Sequence, residues 1–468
     1  MAAAARGVMV YKIYRALTRG LSPVLQLHLR WRVFRGREHP ARWHERIGRP
    51  SLPRPLGPLV WFHAVSLGEG MAAIPVVKQC AHRRLGLNIL MTTTTMSAFK
   101  VLENDLPGGV LHQFCPVDTP AAIDAFLCYW RPSAVILMES ELWPNLIMIS
   151  STKGIPLTLS NARMSVKSFR FWSGLALPLI SLMLSKFALI VPLSTTQGIR
   201  FQLLQAPPLI VNFAGDLKYV VEHDMSKRNI ASTKDLKEQL SDRHVWMAAS
   251  IHRGEEQGVF QLHWLLAWSV YASLMLAVHR SLVQRYPDLV TIIVPRHLQL
   301  AHHIVEELQK EGLHVALRSR KQKITARGMV YVVDTLGELR RLYSLTPIAV
   351  IGGSFCPGFT GHNISEAAAA GCAVLTGFHV GHFSHMINEM QRLDPLSVVQ
   401  VSGKEELQET LFQLFSDTEL LKVRRMASKQ TFDTLSSGIL ANVWNLLDTH
   451  VIDRICIPEE ENENRHSS

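Results

Sequence analysis

Short apolar runs recur along this chain, each closed by a polar or glycine-bearing loop and then by helix-like sequence. The first is Leu59-Val60-Trp61-Phe62-His63-Ala64-Val65, which ends in Ser66-Leu67-Gly68-Glu69-Gly70 and is followed by a helical stretch from Met71 to Leu85. Residues 88–93, 134–138, 157–159, 188–191 and 211–214 read as further strands. Continuous apolar runs suit strands buried on both faces, and strands alternating with helices predict a parallel sheet covered on both sides. A charged, strand-poor stretch at 222–243 connects to a second set at 245–249, 290–295, 330–333, 348–351 and 373–375. Residues 404–450 read as helical, and 451–468 as an acidic tail. With 468 residues the chain exceeds one ordinary core. The expectation is α/β: two Rossmann-like domains, 55–221 and 244–450, facing each other across a cleft. Chemistry is expected in the loops beyond the carboxyl ends of the strands.

Charge separates a further segment. Residues 1–54 hold twelve Arg and Lys against two acids, Glu38 and Glu45, whereas the rest of the chain holds 37 basic and 36 acidic residues. The net charge of +11 therefore marks a basic N-terminal arm on a nearly neutral protein, which argues against a nucleic-acid partner. In the arm, Arg15 and Arg19 share one helical face and Ile13, Leu17 and Leu21 another. An acid-free, amphipathic start has three readings: an organellar transit peptide, a helix lying on an anionic membrane, or an ordinary solvated helix. No apolar run in it reaches the length of a membrane span. Pro50, Pro53, Pro55 and Pro58 form a stiff linker behind it. The six cysteines show no CxxC pair and no zinc-like spacing, so buried reduced thiols are expected.

Several loops carry candidate chemistry. Glu69, between Gly68 and Gly70, suits a general base, although a Glu at a helix start also complements the helix dipole. The run AVILM ends in Glu139-Ser140-Glu141, acids that need partners if they are buried. Asn161-Ala162-Arg163 and Gly215-Asp216-Leu217-Lys218 close later strands; a surface ion pair is the plain alternative for Lys218. In the second half, Ser250-Ile251-His252, Pro295-Arg296 and Gly352-Gly353-Ser354 follow strands. Glycine loops that feed helix starts favour anionic ligands. Glu366, in the Ala-rich helix after such a loop, suits ribose hydroxyls, with an exposed helical Glu as the alternative. GxGxxG and GxxxxGK[ST] are both absent, which removes support for NAD-type and P-loop readings.

Together these strings resemble the Kdo (3-deoxy-D-manno-octulosonic acid) transferases of the lipid A pathway. The matching stretches are HAVSLGEG at 63–70, TTTT at 92–95, MESELWPN at 138–145, SNARMS at 160–165, GDLKY at 215–219, ASIHRGEE at 249–256, VPRH at 294–297, DTLGEL at 334–339 and GGSFCPGFTGHNISEAAAAG at 352–371. The resemblance implies a GT-B type fold and an inverting transfer of Kdo from CMP-Kdo to a phosphorylated glycolipid resembling a lipid A precursor. It implies Glu69 as base, Glu139 and Lys218 as transition-state stabilisers, and Glu141 as an alternative acid. Pro295, Arg296, Leu336, Gly337, Glu338, Asn363, Ile364, Ser365 and Glu366 would bind the donor. Ser66, Arg163, Ser250, His252, Gly353 and Ser354 are further candidates. No metal or cofactor is needed, since cations and helix ends can meet the leaving-group charge. The likeness to plant members implies a membrane-associated, mitochondrial protein; the alternative address is the cytoplasmic face of a bacterial inner membrane.

One stretch departs from the family pattern. Residues 258–275 look like an insertion, and from Gln257 to Val278 there is no Asp, Glu, Lys or Arg. It reads as a retained non-native coding segment, an added surface helix, or a membrane-contacting element. Two other functions therefore stand beside Kdo transfer: another nucleotide-sugar transferase of the same fold, and a non-catalytic glycolipid-binding protein whose donor site the insertion has spoiled.

Overall fold

The structure, a computed structural model, describes residues 2–220, 230–251, 274–295, 301–325, 327–335, 337–355 and 361–456. The chain divides into two units, Met1–Val220 with Gly438–Ser468, and Val221–Ser437.

The first unit is built on six parallel strands: β1 (Leu59–Ala64), β2 (Asn88–Thr93), β3 (Leu111–Phe114), β4 (Ala134–Met138), β5 (Leu157–Ala162) and β6 (Leu189–Pro192). Their order is β3-β2-β1-β4-β5-β6. Every residue of β1, β4 and β5 is buried; the largely apolar runs of β1 and β4 predict this, whereas β5 also buries Thr158, Ser160 and Asn161. Helices start where a hydroxyl can cap them. Ser66, Thr95, Thr119, Ser165 and Ser194 each accept the N–H three residues on, and so open the helices that follow. Because β1 pairs with both β2 and β4, the connections diverge at that boundary. The crevice beyond β1 and β4 is the position where such sheets place ligands.

The second unit has seven strands, β7 (Val245–Ile251), β8 (Val290–Pro295), β9 (Val315–Leu317), β10 (Met329–Val332), β11 (Ile348–Ile351), β12 (Ala373–Thr376) and β13 (Val398–Gln400). They run parallel in the order β13-β12-β11-β7-β8-β10-β9. Each unit has its own apolar core, with Trp61 and Phe126 in one and Trp246 and Val350 in the other.

Several expectations are corrected. Residues 211–214 are not a strand: Val211 makes only an isolated bridge to Ile190. A turn at Pro208–Ile210 and a left-handed Gly215 (φ 102°) leave no extended run between them. The helix after β1 begins at Leu67, so Glu69 and Gly70 lie in its first turn and not in a loop. Residues 438–450 join the first unit, because Ile439, Val443, Trp444 and Leu447 form the buried face of the Ile439–Leu447 helix. There Ile439 meets Gly215, Arg83 lies over the Trp444 ring, and Arg84 binds Asp448 at 2.7 Å. In the second unit, residues 230–240 are helical. The helix Asp453–Cys456 extends into the stretch expected to be a tail. Cys80, Cys115 and Cys372 are buried, whereas Cys128 is exposed; Cys356 lies outside the described residues. Most of the 258–275 segment also lies outside them; residues 274–285 are helical, with Met275 in the core.

The N-terminal arm is two helices, Ala2–Gly20 and Ser22–Phe34. The first turns Gly7 and Tyr11 inward and half-buries Tyr14 and Thr18, while Met9, Ile13, Leu17 and Leu21 stay exposed. The apolar stripe noted in the sequence is therefore the outer face. Among the described residues, no helix is long and apolar enough to cross a membrane.

Candidate active site

The first helical turn after β1, the loops after β4 and β5, and the Leu217–Tyr219 turn bring Glu69, Glu139, Glu141, Arg163 and Lys218 into one electrostatic neighbourhood. Glu69 sits at the third position of its helix. Its N–H donates to Ser66 Oγ at 3.4 Å, and its Oε2 accepts from the Val65 N–H at 2.7 Å. This is close to a capping box, with the carboxylate reaching one residue beyond the cap. Ser66 thus fixes the backbone that presents Glu69. This placement in the first helical turn fits the dipole reading of Glu69.

Glu139 follows β4 in the left-handed region, with φ 53°. Backbone bonds hold it there: its N–H donates to the Ser160 carbonyl at 2.9 Å, and its carbonyl accepts from the Arg163 N–H at 3.2 Å. A non-glycine residue in this conformation persists only where its surroundings over-determine it. The buried Glu139 carboxylate pairs with Lys218 through Oε1 and with Arg163 Nη1 through Oε2 at 3.3 Å. Lys218 is positioned in turn by two residues not singled out as site residues in the sequence, Asn161 and Asp216. Asp216 Oδ1 accepts from the Lys218 N–H at 2.9 Å and from Asn161 Nδ2 at 3.0 Å, while Asn161 Oδ1 accepts from the Leu217 N–H at 2.9 Å. The available signal was two short polar residues, one near the end of β5 and one capping the Leu217–Tyr219 turn, where an Asx side chain can lock one loop to the next.

Glu141 is buried, accepts a hydrogen bond from the Trp143 indole N–H, and lies 3.8 Å from His63 Nε2. His63 Nδ1 lies 2.9 Å from Thr92 Oγ1 and 3.3 Å from the Thr92 carbonyl oxygen.

Electrostatics give these acids different roles. Burial, reinforced by the nearby Glu139 charge, pushes the Glu69 carboxyl up to about 7. Burial and then Glu69 push Glu141 up to about 8, so it carries a proton at neutral pH. Burial pushes His63 down to about 4, so it is neutral. The cluster therefore offers a base poised near neutrality, a neutral acid, and a carboxylate neutralised by two cations.

In the second unit the sequence candidates divide. Ser354 is a loop brace: its hydroxyl donates to the Ile351 carbonyl at 2.7 Å and accepts from the Gly377 N–H at 2.8 Å. Gly353, with φ 69°, takes a turn that an L side chain would strain. Pro295 is a buried strand end. Gly337 is left-handed, and Glu338 is held by Arg318 in a two-bond fork of 2.8 and 3.1 Å. Burial opposes ionisation of Glu338, but Arg318 and Thr335 outweigh it and hold the carboxyl below its usual range. Asn363 Oδ1 accepts from the Ser365 N–H at 3.0 Å, Ile364 and Ser365 are buried, and Glu366 accepts from Arg340 Nε at 2.7 Å. Glu366 is thus an anchored acid and not a free helical one. Arg296, Leu336, His252 and the Ser250 side chain lie outside the described residues.

Residues 41–221 match the family model described as 3-deoxy-D-manno-octulosonic-acid transferase (kdotransferase). The chain is 58% identical over 448 residues to an Arabidopsis thaliana protein named probable 3-deoxy-D-manno-octulosonic acid transferase, mitochondrial, covering 95% of this chain and 97% of that one. It is 31% identical over 392 residues to the 3-deoxy-D-manno-octulosonic acid transferase of Haemophilus influenzae, covering 84% of each. Among solved structures it resembles the UDP-GlcNAc 2-epimerase of Neisseria meningitidis bound to UDP-GlcNAc. The TM-score is 0.56 at 14% identity, covering 83% of this chain and 99% of that one, which is a likeness of fold.

Proposed function

The chain belongs to the 3-deoxy-D-manno-octulosonic acid transferase family, and on that premise we propose that it moves Kdo from CMP-Kdo to a phosphorylated glycolipid of the lipid A precursor type. In this reading Glu69 takes the proton from the acceptor hydroxyl. The oxygen attacks the anomeric carbon of Kdo as the bond to the CMP phosphate breaks, with inversion. Glu139 faces the positive charge that develops on the sugar, and Lys218 and Arg163 hold that carboxylate in place and add positive charge for the departing phosphate. The Glu338 turn and the Asn363–Glu366 stretch hold the donor, with Arg318 and Arg340 orienting their acids.

The observation that carries the proposal is the ion pair of Glu139 with Lys218 and Arg163 beside Glu69, at the strand boundary where parallel sheets bind ligands. The test is CMP release from CMP-Kdo with and without a lipid A precursor, beside a Glu69→Ala variant and after subtraction of spontaneous donor decay. Acceptor-dependent release that is lost in the variant is expected; release independent of both the acceptor and Glu69 would defeat the reading.

The same reading places the acceptor at a membrane. Met9, Ile13, Leu17 and Leu21, continued by Val24 and Leu27, are exposed along the two N-terminal helices, with Arg15 and Arg19 beside them. An apolar stripe flanked by arginines suits an anionic lipid surface. The name of the Arabidopsis relative supports a mitochondrial address. Binding to vesicles containing anionic lipid, weakened in an Ile13→Ser, Leu17→Ser double variant, is expected; equal binding by both chains would remove the membrane assignment. Fractionation of cells expressing the chain checks the address.

A further inference from the structure

We propose that the Ala2–Gly20 helix is a permanent part of the mature protein, docked through Tyr14 and Asp118 onto the loop that carries Glu139 and Glu141, and not a leader removed after import.

A cleavable leader is expected to make few contacts that the mature fold needs. This helix has an inner seam at Gly7, Tyr11, Tyr14 and Thr18, spaced by four, three and four, which is the register of a packed helix. Tyr11 belongs to the core of the first unit. At Gly7 the packing leaves no room for a side chain: a Cβ there would stand 2.3 Å from the Pro178 carbonyl oxygen.

The polar half of the seam reaches the site. Tyr14 donates its hydroxyl to Asp118 Oδ2 at 2.9 Å. The same carboxylate accepts from the Asn145 and Leu146 N–H groups at 3.1 and 2.8 Å. Those are the first free donors of the Pro144–Thr152 helix, whose own N-cap, Trp143, supplies no side-chain cap. Asp118 is therefore a cap supplied from another element. Asn145 completes the joint, donating to Thr18 Oγ1 at 3.0 Å and to the Asp118 carbonyl at 2.7 Å. The loop from Glu139 to Trp143 runs directly into this joint. Further along the arm, Arg32 holds Glu38 at 3.0 Å, and Glu38 also meets Arg46. Loss of residues 1–37 would empty the Tyr11 slot, take one donor from a half-buried Asp118, and remove one of the two cations paired with Glu38. Tyr14 is a positioning residue in this scheme, because it acts on the catalytic loop through Asp118.

The first test does not depend on the reaction assigned above. The full chain is expressed in plant cells, recovered from whichever fraction holds it, and its intact mass and N-terminal sequence are read. A start ahead of Gly7 is expected; a chain that starts after Arg37 overturns the proposal. In the second test, Gly7→Val and Tyr14→Phe are each made in the full chain, with Met9→Ser on the exposed face as control. Each inner-face change is expected to lower Tm by about 2–4 °C, while the control holds. Tyr14→Phe is also expected to lower kcat several-fold with the KM for CMP-Kdo unchanged. Unchanged Tm in both inner-face variants overturns the docking, and a lowered Tm with unchanged kcat overturns the coupling to the catalytic loop.

Discussion

Glu139 and Lys218 form an ion pair although one follows β4 and the other sits in the distant turn Leu217–Tyr219, and the pairing is set by backbone locks and not by reach alone. Asp216 fixes the turn that carries Lys218, and the bonds to Ser160 and Arg163 fix the left-handed Glu139. Lys218→Ala should lower kcat by about 100-fold, the scale for removing one preorganised charge-stabilising group. It should also move the acid limb of the rate profile upward, because Lys218 opposes the rise in the Glu69 pKa. A profile left in place while kcat falls would detach Lys218 from the base. CMP release measured across pH supplies both readouts.

The base itself sets a pH dependence. Glu69 titrates at about 7 and acts only when ionised, so kcat/KM should rise with pH through that value and level off above it. Glu139 contributes to the upward shift as a neighbouring negative charge. Glu139→Gln should therefore carry the acid limb to lower pH even as it reduces the maximum rate. A limb fixed near pH 4.5 in the unmodified enzyme would assign the base elsewhere.

Glu141 makes a stability prediction with the opposite sense from an ordinary carboxylate. Its folded-state value of about 8 lies above the ordinary carboxyl value of 4.5, so the native state binds the extra proton. The stabilisation is fully present below the unfolded value and is lost as pH rises through about 8. The first unit should therefore weaken between pH 5 and pH 9 in urea titrations, and Glu141→Gln should flatten that slope. An equal slope in the variant would mean that Glu141 is ionised throughout.

Much of the sheet architecture was legible because β1, β4 and β8 are largely apolar runs buried from end to end. The edge strands β3, β9 and β13 were not: they span four, three and three residues, too short for a periodic signal. Glu69, Glu139 and Lys218 could be singled out because they follow strands or occur beside glycines. Asn161 and Asp216 stand in strings quoted from the sequence, but their locking role, like that of Asp118, could not be read there, since a locking side chain is identified by its partner in another loop. The Ala2–Gly20 helix shows the limit most plainly. Its apolar stripe marks a lipid-like face in the sequence, whereas the face that folds is the mixed one bearing Gly7, Tyr11, Tyr14 and Thr18.

The donor-side turn should respond to Arg318. Its guanidinium grips both oxygens of Glu338, so Arg318→Ala frees the acid and the left-handed Gly337 turn beside it. The KM for CMP-Kdo should rise several-fold with kcat nearly unchanged, because the loss falls on donor binding. Unchanged KM would mean that the fork serves the fold alone.

Trp444 tests the return of the chain to the first unit. It is fully buried on the Ile439–Leu447 helix, under Arg83 and in the same segment as the Arg84–Asp448 pair. Trp444→Ala removes a large ring from a packed interior and should cost about 3–5 kcal/mol. That loss should fall on the unit containing Glu69, since the helix packs there and not on the unit that precedes it in sequence. Urea unfolding followed by hydrogen exchange can locate it. Protection should drop along the Leu67–Arg83 helix while β7, β8 and β11 keep theirs; the reverse pattern would return the terminal helix to the second unit.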